Sequence, residues 1–256
     1  MKSSDFHVNS PNPDLHRFAR KDHCEQCKKK LANINSFKPA DLVKVAIDTN
    51  EDIKKIFKMS KTTLKIDLLG VIDLKMMGQF VGAFFIQKAH VSIPYLARTP
   101  SATGHPDLIP SEYEKPPTAG WKQVYYDQFR HGGVEVKTSV IKTPDAKKYE
   151  VGRPRIEKPS GVEWKGHHQK INNLLGLVWD FTANVPTIMA GFYSNRLRPA
   201  DFTYTERKKG GGNTTNVAIT KSSAKEKMGK GWVFCIKEGK YSEFLSSKLY
   251  CDFKST

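Results

Sequence analysis

The chain has 256 residues and a formal charge of +16, because 42 lysines and arginines outnumber 26 aspartates and glutamates. Hydrophobic residues make up 38% and aromatic residues 11%, which is typical of folded proteins and excludes a disordered chain. So large a positive charge favours a polyanionic partner, and nucleic acid is the commonest such partner.

The sequence indicates neither a membrane-spanning segment nor a signal peptide. The longest apolar candidate, MMGQFVGAFFI at 76–86, is shorter than the roughly 18 residues that a membrane-spanning helix needs. Residues 1–17 are polar and lack the hydrophobic stretch of a signal peptide. The four cysteines are too few for a disulfide scaffold in a chain of this size, so we expect a reducing cytoplasm.

The first predicted element is a polar, proline-interrupted arm or cap formed by residues 1–35. Cys24 and Cys27 in this arm form a C-x-x-C pair with His23 beside it. A zinc ribbon needs a second such pair, and none follows in the sequence. Reduced thiols near a basic turn are therefore the simpler interpretation, and a small zinc knuckle is the alternative. Residues 36–256 contain no repeat and no long linker, which predicts one domain.

Two helices are predicted next. Residues 41–57 carry apolar side chains at a partly helical spacing. Residues 67–89 form the most apolar segment, and their apolar side chains recur every three or four positions, which predicts a buried helix. The recurring positions are Leu74, Met77, Val81, Phe84 and Phe85. Residues 90–104 then predict an extended chain that leads into a loop punctuated by glycine and proline.

Strand signals dominate the rest of the chain. They occur at 105–110, 121–129, 132–141, 173–182, 186–194 and 231–237. A long basic connection separates the third of these strands from the fourth, and a closing helix is predicted at 241–249. Helices interspersed with strands in one domain predict an α/β fold.

The residues suited to chemistry lie in two of these predicted strands. Alternation along VEVK at 134–137 sends Glu135 and Lys137 to the same face of a strand. Asp107 opens an earlier strand, and it joins them if the two strands pair. Two carboxylates would then bind a hard divalent cation such as Mg²⁺, and Lys137 would steady or deprotonate a water bound to that metal. The alternative interpretation is an exposed edge strand that carries a surface ion pair.

The motifs HPD at 105–107 and EVK at 135–137 resemble those of the PD-(D/E)XK nuclease superfamily, and in particular of its type II restriction endonucleases. The resemblance covers roughly residues 65–250 and is specific at the motif. It implies a restriction-endonuclease-like core, in which a central mixed β-sheet is flanked by helices. It also implies that Asp107 and Glu135 bind Mg²⁺, that Lys137 is catalytic, and that a homodimer cleaves double-stranded DNA in a prokaryotic cell.

The family's N-terminal core helix, which residues 76–89 resemble, often contributes an acidic side chain to the metal site. In this sequence Gln79 or Gln87 stands at the corresponding position. We therefore expect Gln79 to complete the catalytic site, either as a ligand through its amide oxygen or by positioning a water.

The C-terminal segment at about 195–230 is predicted to recognise DNA. Within it RKKGGGNTTN at 207–216 combines cations, three glycines and short hydrogen-bonding side chains, which suit close approach to a groove and contacts to base edges. The candidate DNA-binding residues here are Arg207, Lys208, Lys209, Asn213, Thr214, Thr215 and Asn216. Arg153 and Arg155 in the earlier basic connection are predicted to contact phosphates, which fixes register without reading sequence. The alternative for 207–216 is a hairpin tip whose charges keep it soluble.

Three functions remain open from the sequence. The first is a Mg²⁺-dependent, sequence-specific DNA endonuclease that acts as a homodimer. The second is a repair or junction-resolving nuclease with the same core, which would have less need of the glycine-rich segment. The third is a basic nucleic-acid-binding module without catalytic activity.

Overall fold

The computed structural model of the chain describes residues 1–10, 38–99, 106–111, 133–145, 150–166, 173–206 and 215–253. A five-stranded sheet is the centre of this part of the chain, and its order is β1-β10-β7-β6-β4. Its strands are β1 (Phe6–Val8), β4 (Glu135–Val140), β6 (Leu174–Thr182), β7 (Val185–Ser194) and β10 (Trp232–Ile236). The β4–β6 pair is parallel and the other pairs are antiparallel, so the predicted α/β fold with a central mixed sheet is confirmed.

Two smaller sheets accompany the central one. The first pairs β2 (Leu96–Arg98) with β3 (Leu108–Pro110). The second has three strands in the order β5-β9-β8. Its strands are β5 (Trp164–Gly166), β8 (Thr203–Glu206) and β9 (Thr215–Ile219). The predicted strand at 121–129 lies outside the described residues.

The helices of the first half are α1 (Pro39–Thr62), α2 (Leu68–Val71) and α3 (Leu74–Ser92). Proline at the first helical position suits the start of α1, because its fixed φ is already helical. The segment 67–89, predicted as one helix, is two helices. Asp67 and Asp73 each have an extended backbone and accept a hydrogen bond from a backbone N–H of the following turn, so each begins a new helix.

The helices of the second half are α4 (Ser222–Lys230) and α5 (Gly239–Leu249). The described helices flank the central sheet, as predicted. None of the helices in the described ranges is both long enough and apolar enough to span a membrane.

Glycines show which helix covers which face of strand β4. A Cβ atom built on Gly78 or Gly82 of α3 would lie 3.2 Å from the Thr138 side chain, so α3 packs on the Thr138 face of β4. A Cβ on Gly176, the register partner of Lys137, would lie 2.7 Å from Trp164 and 2.8 Å from Met228. Because register partners share a face, β5 and α4 cover the face that carries Lys137.

Residues 6–8, within the segment predicted as an arm or cap, form a strand of the central sheet. Phe6 in β1 pairs with Ile236 in β10, and the Phe6 ring meets the Phe234 ring edge-on at 5.7 Å between centroids. Residues 1–10 contain only three strand residues, too few to give a recognisable alternation, which explains why the sequence did not predict this strand. The remainder of the predicted arm, including Cys24 and Cys27, lies outside the described residues.

Candidate functional site

Glu135 and Lys137 lie side by side at the start of β4, as the alternation predicts. A short hydrogen bond joins the Lys137 ammonium to Oε1 of Glu135. Both side chains are withdrawn from solvent, since the Glu135 side chain is 3% exposed and the Lys137 side chain is 14% exposed. The pair is therefore not the exposed surface ion pair of the alternative interpretation. A charge pair held this far from water interacts much more strongly than one on the surface.

Asp107 contacts β4 along the edge of the strand opposite to the one that pairs with β6. Its Oδ2 atom accepts a hydrogen bond of 2.7 Å from the backbone N–H of Val136, the residue between Glu135 and Lys137. This contact sets the Asp107 carboxylate beside β4, at the level of the Glu135–Lys137 pair. The structure thus brings together the three residues that the sequence selected from two segments 28 positions apart.

Backbone pairing explains how Asp107 comes to this place. Leu108 and Val134 exchange two backbone hydrogen bonds, of 3.0 and 2.9 Å, as an isolated antiparallel bridge. The preceding residue does not continue the pairing with β4. Instead, Thr99 binds the carbonyls of Pro106 and Asp107 through its hydroxyl and its backbone N–H. The Asp107 side chain then takes the backbone donor of Val136 that the ladder leaves open.

Pro106 and Gly133 fit against each other and fix the spacing between the two segments. A Cβ atom on Gly133 would lie 2.1 Å from Cγ of Pro106 and 2.8 Å from the Leu108 carbonyl oxygen, so only glycine fits here. The proline of the PD motif therefore packs on the glycine that precedes the strand. The sequence contained both residues, but nothing in their positions predicted that they touch.

Asn173 holds the strand from its other side. Its carbonyl accepts the backbone N–H of Glu135 at 3.0 Å, and its Nδ2 donates to the Gly133 carbonyl at 3.0 Å. Asn173 is fully buried, so these hydrogen bonds are shielded from competing water. It was not among the predicted site residues, because a lone asparagine before a strand is an ordinary feature of a sequence.

Gln79 does not join the candidate site. Its side chain is exposed, whereas Met77 and Val81 of the same helix are buried in the core. Helix α3 also lies on the Thr138 face of β4, opposite the face of Glu135 and Lys137. Within the described part of the chain no hydrogen bond or ion pair involves the Gln79 side chain. The structure therefore does not bring Gln79 to the face of Glu135 and Lys137, and its catalytic role stays a prediction; the alternative Gln87 accepts a hydrogen bond from exposed Arg98.

The donor set suits a hard cation, although it is small. Among the described residues no group of three or more His, Cys, Asp or Glu side chains could hold a metal ion. Asp107 and Glu135 supply two carboxylates. Mg²⁺ is commonly bound through one or two carboxylates with water in the remaining positions, so these residues fit that ion.

The two arginines predicted to contact phosphates have different environments. Arg153 is exposed, as a phosphate contact requires. Arg155 is 1% exposed; its Nε donates to the Ile141 carbonyl at 2.6 Å, and its NH2 donates to the Thr143 hydroxyl at 2.9 Å. The prediction for Arg155 is therefore wrong, because its guanidinium is enclosed in the fold.

The predicted base-reading segment is described only at its end. Thr215 and Asn216 begin β9 and pair with Glu206 and Thr205 of β8 in an antiparallel hairpin. The other candidates lie outside the described residues; they are Arg207, Lys208, Lys209, Asn213 and Thr214. The small sheet of this hairpin includes β5, which covers the Lys137 face of the central sheet, so the hairpin belongs to the layer on the side of the candidate site.

Comparisons with known proteins add no assignment: no family model matches the chain, and neither a curated protein nor a solved structure shows significant similarity to it. The nuclease interpretation therefore depends on the sequence motif and on the geometry around β4.

Proposed function

We propose that this chain is a divalent-metal-dependent, sequence-specific endonuclease of double-stranded DNA, of the type II restriction enzyme class. The hydrogen bond from the Val136 N–H to Asp107 is the main support, because it gathers the PD aspartate, Glu135 and Lys137 at one strand. Mg²⁺ is the proposed cofactor, and Asp107 and Glu135 are its proposed ligands. A homodimer in a prokaryotic cytoplasm is part of the same proposal.

Each proposed catalytic residue has a distinct role. Asp107 and Glu135 would offer carboxylate oxygens to the cation, which when bound would offset charge on the scissile phosphate and acidify a bound water. Lys137 would orient the attacking water, or take a proton from it, through Nζ. Glu135 holds that ammonium in place, and the backbone of Val136 orients Asp107. Because the fold already holds these side chains in position, the reaction would not bear the entropic cost of bringing them together.

The charge distribution supports nucleic acid as the substrate. The chain carries +16, and phosphate contacts give basic proteins an affinity for DNA that falls as salt rises. The β8–β9 hairpin lies in the layer that covers the Lys137 face. Base-contacting residues in this layer would lie on the same side of the central sheet as the proposed cleavage site.

The test is incubation of plasmid DNA with the protein in Mg²⁺ or in EDTA. We expect discrete fragments in Mg²⁺ and intact plasmid in EDTA. Lys137→Ala should abolish cleavage and retain DNA binding. Lys142→Ala is the matched control, because Lys142 also pairs with a glutamate, Glu163, but at the other end of β4.

Each other outcome has a definite meaning. DNA binding without cleavage would replace the endonuclease by a non-catalytic binding module. Preference for branched DNA would favour a junction-resolving enzyme with the same core. Cleavage that survives Lys137→Ala would remove this lysine from the mechanism.

A further inference from the structure

A cavity of about 440 Å³ lies at the end of the central sheet remote from Glu135. It is lined by α1, by the start of α2 and by the turn between β6 and β7. Along β6, Leu174 is the register partner of Glu135, whereas Thr182 lines the cavity. Eight residues of strand separate these two positions, or about 26 Å at 3.3 Å per residue. The cavity is therefore separate from the candidate nuclease site.

The interior of the cavity is apolar. Phe57 of α1, Leu68 and Leu69 of α2 and Val185 of β7 line it. Its volume falls within the range of about 300–1,000 Å³ that is usual for sites of small organic ligands. An apolar lining of this extent suits the flat or hydrophobic body of such a ligand.

The rim of the cavity is cationic. Lys54, Lys58 and Lys61 line it from one helix, at a spacing of four and three residues that puts them on the same face of α1. All three are exposed, and no ion pair or hydrogen bond engages their side chains within the described residues. Other lysines nearby are already paired; for example, Lys88 contacts Asp52 at 2.5 Å.

The three lysines of the lining outnumber its two acids, Glu51 and Asp67. Glu51 lies 3.4 Å from the amino group of Met1, and Asp67 accepts the backbone N–H of Leu69 at 3.1 Å. The lining thus has an excess of positive charge above an apolar floor. An anionic group of a ligand would meet the lysines while its body occupies the floor.

The turn between β6 and β7 supplies a polar part of the lining. Ala183 and Asn184 connect β6 to β7 and have φ of 49° and 63°, the left-handed pair of a two-residue hairpin turn. Thr182 and Thr187 stand on either side of this turn and line the cavity as well. Hydroxyl and amide groups here provide hydrogen-bond partners for the edge of a ring or for a sugar.

From this combination we infer that the cavity binds a small phosphorylated aromatic molecule of the nucleoside monophosphate class. The apolar floor takes the base, and Lys54, Lys58 and Lys61 take the phosphate. A phosphate monoester carries between about one and a half and two negative charges at neutral pH, which matches several lysines better than a single carboxylate does. The inference rests on the cavity alone and not on the proposed nuclease function.

Duplex DNA is a weaker candidate for this position. A DNA backbone would use the three lysines but would leave the apolar cavity beneath them empty. A small ligand uses both features. Filling the cavity without changing its charge therefore distinguishes the two.

The experiment is calorimetric titration of the full chain with adenosine monophosphate in EDTA, which removes divalent metal from the Asp107–Glu135 site. Adenosine and inorganic phosphate are titrated separately, and each should bind more weakly than the intact nucleotide. Lys58→Glu should weaken nucleotide binding by about tenfold or more, the value of one charge-assisted contact. Thr182→Trp should block binding while every lysine remains.

Two controls make the test specific. Lys75→Glu removes an exposed lysine of α3 that does not line the cavity, and it should leave affinity unchanged. Glu135→Gln should also leave the affinity for the nucleotide unchanged, because the cavity is separate from the candidate nuclease site. This control keeps the test of the cavity independent of the nuclease proposal. Thermal melting of each variant confirms folding, and Lys61→Glu replaces any charge variant that fails to fold.

The inference is overturned if the nucleotide shows no saturable binding, or if Lys75→Glu weakens it as much as Lys58→Glu does. It is also overturned if Thr182→Trp binds normally. A third outcome would identify the lysines as a surface that contacts DNA phosphates instead. In that outcome Lys58→Glu loses duplex DNA binding, Thr182→Trp binds DNA normally, and the nucleotide does not compete with DNA.

Discussion

Two buried carboxylates on the central sheet, Asp180 and Glu135, have opposite surroundings. The Asp180 oxygens accept hydrogen bonds from the backbone N–H groups of Arg155, Ile156 and Phe181 and from the Tyr241 hydroxyl. Glu135 instead receives the ammonium of Lys137, and the Asp107 carboxylate lies at the same strand. Asp180 holds fixed parts of the chain together, whereas Glu135 belongs to a cluster of side chains whose charges suit a ligand.

This difference shows why burial of an acid is a poor guide to function. Asp180 is more completely buried than Asp107, yet its partners are mostly backbone donors that have no chemistry of their own. The Glu135 region combines two carboxylates with an amine, a set of groups that suits cation binding and proton transfer. The partners of a buried acid distinguish a structural role from a chemical one.

The largest expected effect is the loss of cleavage in Glu135→Gln. The amide keeps the shape of the side chain but removes the charge that would bind the cation, so cleavage should fall by about 10²-fold or more. DNA binding should be retained. Plasmid cleavage and filter binding, measured on the same variant, would check both statements. Full cleavage by Glu135→Gln would mean that Glu135 has a structural role, like Asp180.

Asp180→Asn should have the reverse outcome. An amide nitrogen in place of either oxygen faces a backbone N–H, so at least one buried donor loses its acceptor, at a cost of about 1–3 kcal/mol in the free energy of unfolding. Urea denaturation measures this cost. Cleavage per folded molecule should be unchanged, and a specific loss of cleavage would contradict the structural role of Asp180.

A smaller effect separates Arg153 from Arg155, which belongs to the Asp180 region. Arg153→Ala should weaken DNA binding at every sequence and reduce the slope of log affinity against log salt by about 1. Arg155→Ala should leave that slope unchanged, because its guanidinium is enclosed, and should lower stability instead. Salt titrations of both variants on one duplex, with melting curves, test the pair; equal slopes in the two variants would contradict it.

The smallest effect is a dependence of stability on pH. Burial raises the pKa of Asp180, and hydrogen bonds from Arg155, Phe181 and Ile156 offset part of that rise. The folded chain therefore keeps this proton at a pH where the unfolded chain has lost it. The associated stability is fully present below the unfolded pKa of about 3.9 and is lost as pH rises through the folded pKa. Asp180→Asn should lack this dependence in urea titrations above pH 4, and identical pH profiles would exclude it.

The sequence predicted the elements with long, regular patterns. Helix α1, the strands β6 and β7 and the strand that carries Glu135 all occur near their predicted positions. The helical spacing of α1, the alternation in the Glu135 strand and the continuous apolar runs of β6 and β7 each extend over at least six residues, which is enough to recognise the element. The grouping of Asp107 with Glu135 and Lys137 followed from the motif and is present in the structure.

Contacts between distant residues could not be predicted in this way. Burial of Arg155 depends on where Ile141 and Thr143 lie in space, and its place in a basic segment favoured an exposed side chain. The exposure of Gln79 depends on which face of α3 meets the sheet, and that face is set by Gly78 and Gly82. In each case the deciding contact joins residues whose sequence neighbourhood carries no trace of it.

The position of β1 has a consequence for synthesis of the chain. Asn9, which follows β1, binds the carbonyl of Trp232, a residue 223 positions further along. At about 5–20 residues per second, the ribosome needs on the order of 10–45 s to produce this partner. Residues 6–8 cannot pair with β10 during that interval, so the β1 edge of the central sheet forms late. A chain that lost them would leave the apolar β10 as an open edge, a surface on which other copies can add strands and aggregate.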